Sequence, residues 1–199
     1  MTKRIGIVGS GIMGSGIAEV AAKAGTEVVL RSRSQTTADA MVAGLEKSLA
    51  KQVERGKLED GDRTAALGRV SAVTDLGALS ECDLVIESIV EDLPTKKHLF
   101  SELDRVCPAE TILATNTSTL PVVEMAMETG RPERVCGVHF FNPAPAMGLV
   151  EIVPAITTSD DTLREAREFV EACGKTAVTA RTRPRTSVAI PSSIRPFST

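Results

Sequence analysis

The chain has 199 residues, 42% hydrophobic and 25% charged, which is the composition of a globular domain and not of a disordered polyelectrolyte. Against 26 acidic residues stand 23 basic ones, a formal charge of −3 that offers no general attraction to nucleic acid or to an anionic membrane. With neither Trp nor Tyr there is little for a base-stacking platform, and no apolar run nears the roughly 20 residues of a spanning helix.

Short β-branched runs alternate with amphipathic segments of helix length, the pattern of a parallel sheet flanked by helices. Arg4 to Val8 is the first expected strand. Ile12 to Lys23 follows as a helix with Gly25 as its stop. Glu27 to Arg31 is a second strand, Thr37 to about Lys51 a longer helix, and Gly56 to Gly68 a turn and a short helix. Val70 to Val73, Asp83 to Ser88 and Thr111 to Thr115 are further strands, the last two separated by a helix from Pro94 to about Val106. Pro121 announces another helix. Val135 to Phe140 and Leu149 to Val153 are late strands, and a helix capped by Ser159 or Asp160 runs to Ala172. The expected fold class is α/β: a Rossmann-like, doubly wound, mostly parallel sheet with a helical excursion after the second strand.

Residues 1–180 are thus expected to form one α/β domain. From Arg181 to Thr199 the composition breaks, with fourteen of nineteen residues Arg, Pro, Ser or Thr and none acidic. Such a segment cannot offset its ordering entropy and is expected to be an unstructured or non-native tail. Cys82, Cys107, Cys136 and Cys173 stand far apart with no C-x-x-C, and His98 and His139 are the only histidines. Buried thiols in a reducing cytoplasm fit this better than a zinc or disulfide framework. No signal peptide precedes the first strand, so the expected location is cytoplasmic.

Gly9-Ser10-Gly11-Ile12-Met13-Gly14 places G-x-G-x-x-G between a strand and a helix. Gly9 permits the tight turn, Gly11 lets the backbone approach a pyrophosphate, and Gly14 lets helix and strand pack closely. The helix start at Ile12 and Met13 then offers free N–H groups and a positive dipole end to phosphates. An acidic residue some 20 positions on normally accepts the ribose hydroxyls of NAD. Ser32 stands there instead, between Arg31 and Arg33. Without the carboxylate a 2′-phosphate is not repelled, the two guanidiniums can pair with it, and Ser32 and Ser34 can donate to it. This favours NADP(H), with NAD(H) open if both arginines are ordinary surface charges.

Asn116-Thr117-Ser118-Thr119 follows an apolar strand, so these polar residues lie at a strand's carboxyl end, where ligands collect in open α/β sheets. His139 closes another strand, and Glu151 lies twelve positions further on the strand after the turn. A base and its orienting carboxylate can be built that way.

In order, G-x-G-x-M-G-x-G-I-A (Gly9 to Ala18), V-E-D (Val90 to Asp92), N-T-S-T (Asn116 to Thr119), H-F-F-N-P-A-P (His139 to Pro145) and L-V-E-I-V (Leu149 to Val153) resemble the 3-hydroxyacyl-CoA dehydrogenases. The chain is most similar to the bacterial 3-hydroxybutyryl-CoA members. The resemblance covers residues 1–180, and H-F-F-N-P twelve residues before the glutamate is its most specific part. It implies an oxidoreductase interconverting (S)-3-hydroxybutyryl-CoA and acetoacetyl-CoA, in fatty-acid or butanoate metabolism, with NAD(H) as the family default.

By the same resemblance His139 is the acid/base, taking the C3 hydroxyl proton while hydride leaves C3 for the nicotinamide. Glu151 orients its imidazole, and Ser118 hydrogen-bonds the substrate oxygen beside the nicotinamide. Asn116, Asn142, Glu91 and Lys96 join the glycine turn, Arg31, Ser32 and Arg33 as cofactor contacts. Ser48 matches a CoA contact, and Arg55 stands where the family often has a lysine for a CoA phosphate. Family members continue into a helical dimerisation domain, entered through a Gly-Phe segment with an Asn, and this sequence has no match to either. The expectation is a truncated or frame-shifted member lacking the C-terminal helical domain and its homodimer surface. The competing reading is a module that binds a dinucleotide without chemistry.

Overall fold

The structure is a computed structural model that describes residues 2–180. The tail expected over 181–199 lies outside the described residues.

Eight strands form one sheet in the order β3-β2-β1-β4-β5-β6-β7-β8. Strands β1 (Arg4–Val8), β2 (Glu27–Arg31), β3 (Val70–Val73), β4 (Leu84–Glu87), β5 (Ile112–Thr115) and β6 (Val135–Phe140) are mutually parallel. β7 (Leu149–Pro154) pairs antiparallel with β6, and β8 (Thr176–Thr179) runs parallel to β7. The helices are α1 (Ile12–Lys23), α2 (Gln35–Glu54), α3 (Asp60–Gly68), α4 (Leu93–Val106), α5 (Val122–Ala126) and α6 (Asp160–Ala172).

Both sheet faces are covered, so the central strands are apolar throughout. Successive side chains alternate between two cores. Ile5, Ile7, Ile86 and Val138 pack with Ile17, Leu45 and Phe169 of α1, α2 and α6. Val8, Val85 and Leu113 pack on the other face with Phe100, Leu103 and Met125 of α4 and α5. The excursion after the second strand is α2 and α3.

Three departures from the sequence reading have local causes. α2 begins at Gln35 and not Thr37, because the Ser34 hydroxyl accepts the Thr37 N–H and makes Ser34 the cap. β4 is shorter than Asp83 to Ser88: the Glu87 carboxylate takes the Ile89 N–H at 2.7 Å and turns the chain. β8 was not expected at all. Only Ala177 of its four residues is buried, so it carries almost no apolar signal. The four cysteines are free, and burial pushes their thiols up, Cys82 and Cys136 to about 12 and Cys107 to about 11. Among the described residues no helix is long and apolar enough to cross a membrane.

Candidate active site

The strand order reverses between β1 and β4, and a cleft of about 1040 Å³ opens over that point at the carboxyl ends of the strands. Its middle is the glycine turn. Gly9 has φ +133°, and a Cβ there would meet the Ser88 carbonyl oxygen at 2.3 Å. At Gly14 a Cβ would meet the Gly9 oxygen at 2.2 Å, so any side chain would push the turn off α1. Beside Gly11, by contrast, nothing lies within 4 Å of such an atom. Gly11 caps α1 without a side chain, which leaves the first N–H groups of the helix facing the cleft. Ile12, 78% exposed, and Met13 line the same wall. The glycine cradle therefore fits a pyrophosphate.

Arg31, Ser32 and Arg33 form the β2 end of the cleft. The Arg31 Nε donates to the Thr74 carbonyl at 3.3 Å, and Arg33 is exposed. Neither serine hydroxyl is free as the sequence reading supposed: Ser32 is buried with its Oγ against the Thr37 hydroxyl, and Ser34 caps α2.

Where β4 turns into α4, a buried charge network forms the cleft wall. Lys96, 1% exposed, places its Nζ 2.5 Å from Glu87 Oε1 and 3.3 Å from Glu91 Oε2. Glu87 is fully buried and also accepts the Thr115 hydroxyl at 2.7 Å, while Glu91 accepts the Thr117 hydroxyl. Partial burial works against the charged form of Glu91. The Thr117 hydroxyl and the Lys96 ammonium outweigh it and hold the carboxyl below its ordinary value.

At the β6 end, Ser118 Oγ lies 3.2 Å from His139 Nε2, and His139 Nδ1 lies 2.9 Å from Glu151 Oε2. His139 and Glu151 are direct partners in the antiparallel ladder of β6 and β7, so the twelve-residue spacing becomes a side-by-side pair. A carboxylate only accepts, hence Nδ1 carries a proton and Nε2 is the basic nitrogen of the neutral ring. Phe141 packs on the imidazole at 4.6 Å between centroids. Asn116 and Asn142 line the cleft next to this line of groups. An imidazole held so can give or take a proton at Nε2.

Ser48 and Arg55 are not brought to the cleft. Ser48, on the flank of α2 that packs on α1, donates to Glu19 Oε2 at 2.7 Å, and Arg55 is exposed beyond the end of α2. The sequence reading missed Glu87 and Thr115, and placed Thr117 at the strand end without a role of its own. Glu87 had a signal: a carboxylate closing an otherwise apolar strand must find a partner when buried.

The family model for the 3-hydroxyacyl-CoA dehydrogenase NAD binding domain matches residues 4–183. The chain belongs to this family. A probable 3-hydroxybutyryl-CoA dehydrogenase of Deinococcus radiodurans is 43% identical over 181 residues, 91% of this chain and 65% of that protein. A second, from Bacillus subtilis, is 43% identical over 176 residues, 88% of this chain and 61% of that protein. The crystal structure of a 3-hydroxybutyryl-CoA dehydrogenase from Escherichia coli matches with a TM-score of 0.88 at 42% identity. That match covers 90% of this chain and 38% of the other. The chain thus spans less than two thirds of the length of these relatives. Membership supplies a nicotinamide-dinucleotide domain of the Rossmann type, and the glycine turn and the strand order agree with it.

Proposed function

We propose that this dehydrogenase-family chain binds a nicotinamide dinucleotide across the cleft and interconverts a 3-hydroxyacyl-CoA and the corresponding 3-oxoacyl-CoA. (S)-3-hydroxybutyryl-CoA and acetoacetyl-CoA are the expected pair. One observation carries the reading: the hydrogen-bonded line Ser118–His139–Glu151 reaches, through Ser118, one end of a cleft whose middle is a phosphate cradle. The names of the similar proteins support the substrate class.

The nicotinamide, when bound, supplies the hydride acceptor or donor. The chain does the rest. His139 Nε2 takes the proton of the C3 hydroxyl as that carbon loses hydride, and returns it in the reverse direction. Glu151 holds the ring by Nδ1 and stabilises its charged form. Ser118 hydrogen-bonds the substrate oxygen beside Nε2. Gly9, Gly11 and Gly14, with the start of α1, hold the pyrophosphate, and Glu91, Lys96, Asn116 and Asn142 line the nicotinamide half. Ser48 and Arg55 are assigned to the CoA end, outside the cleft.

For the cofactor we favour NADP(H) over NAD(H). Support comes from Arg31 and Arg33 at the β2 end and a serine where a carboxylate would repel the 2′-phosphate. With both nearby serine hydroxyls engaged, the preference rests on the arginines. Titration of Arg31→Ala and Arg33→Ala should show NADPH weakened by about tenfold, the loss of one charge-assisted contact, with NADH unchanged. Equal affinities before and after reject the preference.

A second reading, dinucleotide binding without turnover, draws on the exposure of Ser118 and Asn142, which leaves the reacting end open to water. One assay separates the two. The purified chain is mixed with acetoacetyl-CoA and NADPH or NADH, and the loss of reduced-nicotinamide absorbance is followed. Turnover abolished by His139→Ala supports the dehydrogenase reading, and turnover indifferent to that change removes its mechanism. Thermal stabilisation by cofactor with no turnover supports the second.

A further inference from the structure

We propose that Lys175 is a positioning residue for the nicotinamide half of the cleft, acting through the loop between β6 and β7. The proposal rests on the dinucleotide reading above.

Lys175 sits in the turn between α6 and β8, remote in sequence from every cleft residue. Its ammonium donates to three carbonyl oxygens of one loop: Ala144 at 3.1 Å, Pro145 at 3.1 Å and Met147 at 2.8 Å. An ammonium has three N–H donors, so all are committed to that loop. The ammonium also borders a smaller cavity of about 280 Å³ with Glu19 and Lys23, but with no proton to spare it is not a free cation there.

The lysine is itself anchored. Its backbone N–H donates to Val170 of α6 at 3.2 Å, and the next residue, Thr176, donates to the Gly148 carbonyl at 2.7 Å. α1 also packs on the same loop: at Gly16 a Cβ would stand 3.2 Å from both Ala144 Cβ and Pro145 Cδ. Residues 144–148 are thus held by contacts to α1 and to Lys175 together.

The front of this loop carries Asn142, which lines the cleft, and Phe141, which packs on His139. In a sheet of this order the pyrophosphate lies on the glycine turn and the adenosine half toward β2. The half left over, the nicotinamide, lies toward β6 and meets Asn142. Within the loop the Ala146 and Met147 N–H groups both donate to the Pro143 carbonyl, and the ammonium ties three further carbonyls to the turn before β8, adding the rigidity that a positioned side chain needs.

The test uses two ligands that differ by the nicotinamide half, NADH and ADP-ribose, titrated against wild type and Lys175→Met. The dissociation constant of NADH is expected to rise about tenfold and that of ADP-ribose to stay within about twofold, the scale of one lost hydrogen bond. Lys175→Arg, which keeps a cation, should recover part of the NADH affinity. If Lys175→Met does not fold, Lys175→Gln, with one donor group, carries the same comparison. Unchanged NADH binding overturns the proposal. So does an equal loss of both ligands, which would mark Lys175 as a general stabiliser. A wild-type chain that binds neither ligand, and not NADPH either, defeats the dinucleotide reading itself.

Discussion

The side-chain oxygen of Asn116 accepts the backbone N–H of Phe140 at 2.7 Å. The ladder between β5 and β6 stops at Thr115 and Gly137, so this bond carries the pairing on to the residue after His139. It also fixes the amide, with the oxygen turned to β6 and the NH2 left to donate into the cleft. Asn116→Leu leaves the Phe140 N–H unsatisfied, and urea denaturation should show a loss of about 1–3 kcal/mol. A variant as stable as wild type would mean that this bond holds nothing.

Glu151→Gln keeps the shape of the ladder partner of His139 and removes its charge. The expected result is a fall in kcat of about 10²- to 10⁴-fold, the range for impaired general acid/base catalysis. Glu151 does not line the cleft, so calorimetric titration with cofactor should give an unaltered affinity. A weakened cofactor and an intact kcat would reverse the assignment.

The Glu87–Lys96 pair is sealed from water on both sides. Glu87→Gln leaves the buried ammonium only the half-exposed Glu91 carboxylate at 3.3 Å and should cost about 3–5 kcal/mol in chemical denaturation. Adding Lys96→Met removes the buried charge, so the double variant should be more stable than the single one. If the second change lowers stability further, the pair is not the cause of the first loss.

Glu91 gives a pH signature. Its folded carboxyl titrates below its ordinary value of 4.5, so its ion pair and hydroxyl contact stabilise the native state above that pH. The contribution fades as the pH falls through the lower folded value. The stability difference between wild type and Glu91→Gln, followed by denaturant midpoints, should be present at neutral pH and shrink in acid below 4.5. A difference that grows on acidification would contradict the shift.

Much of the fold was written in local pattern. The strand Arg4 to Val8, apolar from Ile5 on, the glycine turn and the helix from Ile12 fix a strand–turn–helix unit from neighbouring residues alone. His139 and Glu151 were also within reach, because two strands joined by a short loop put residues of matching parity on one face. Other parts were decided only when distant segments met. Whether the Ser32 hydroxyl is free depends on how α2 starts, and the place of Ser48 on its packing against α1. That Glu87 must hold Lys96, and that Lys175 reaches a loop about 30 residues away, follows from burial and from the pairing of β7 with β8. Sequence spacing encodes periodicity and chemistry; which polar groups find each other in the interior is settled by the packing that excludes water from them.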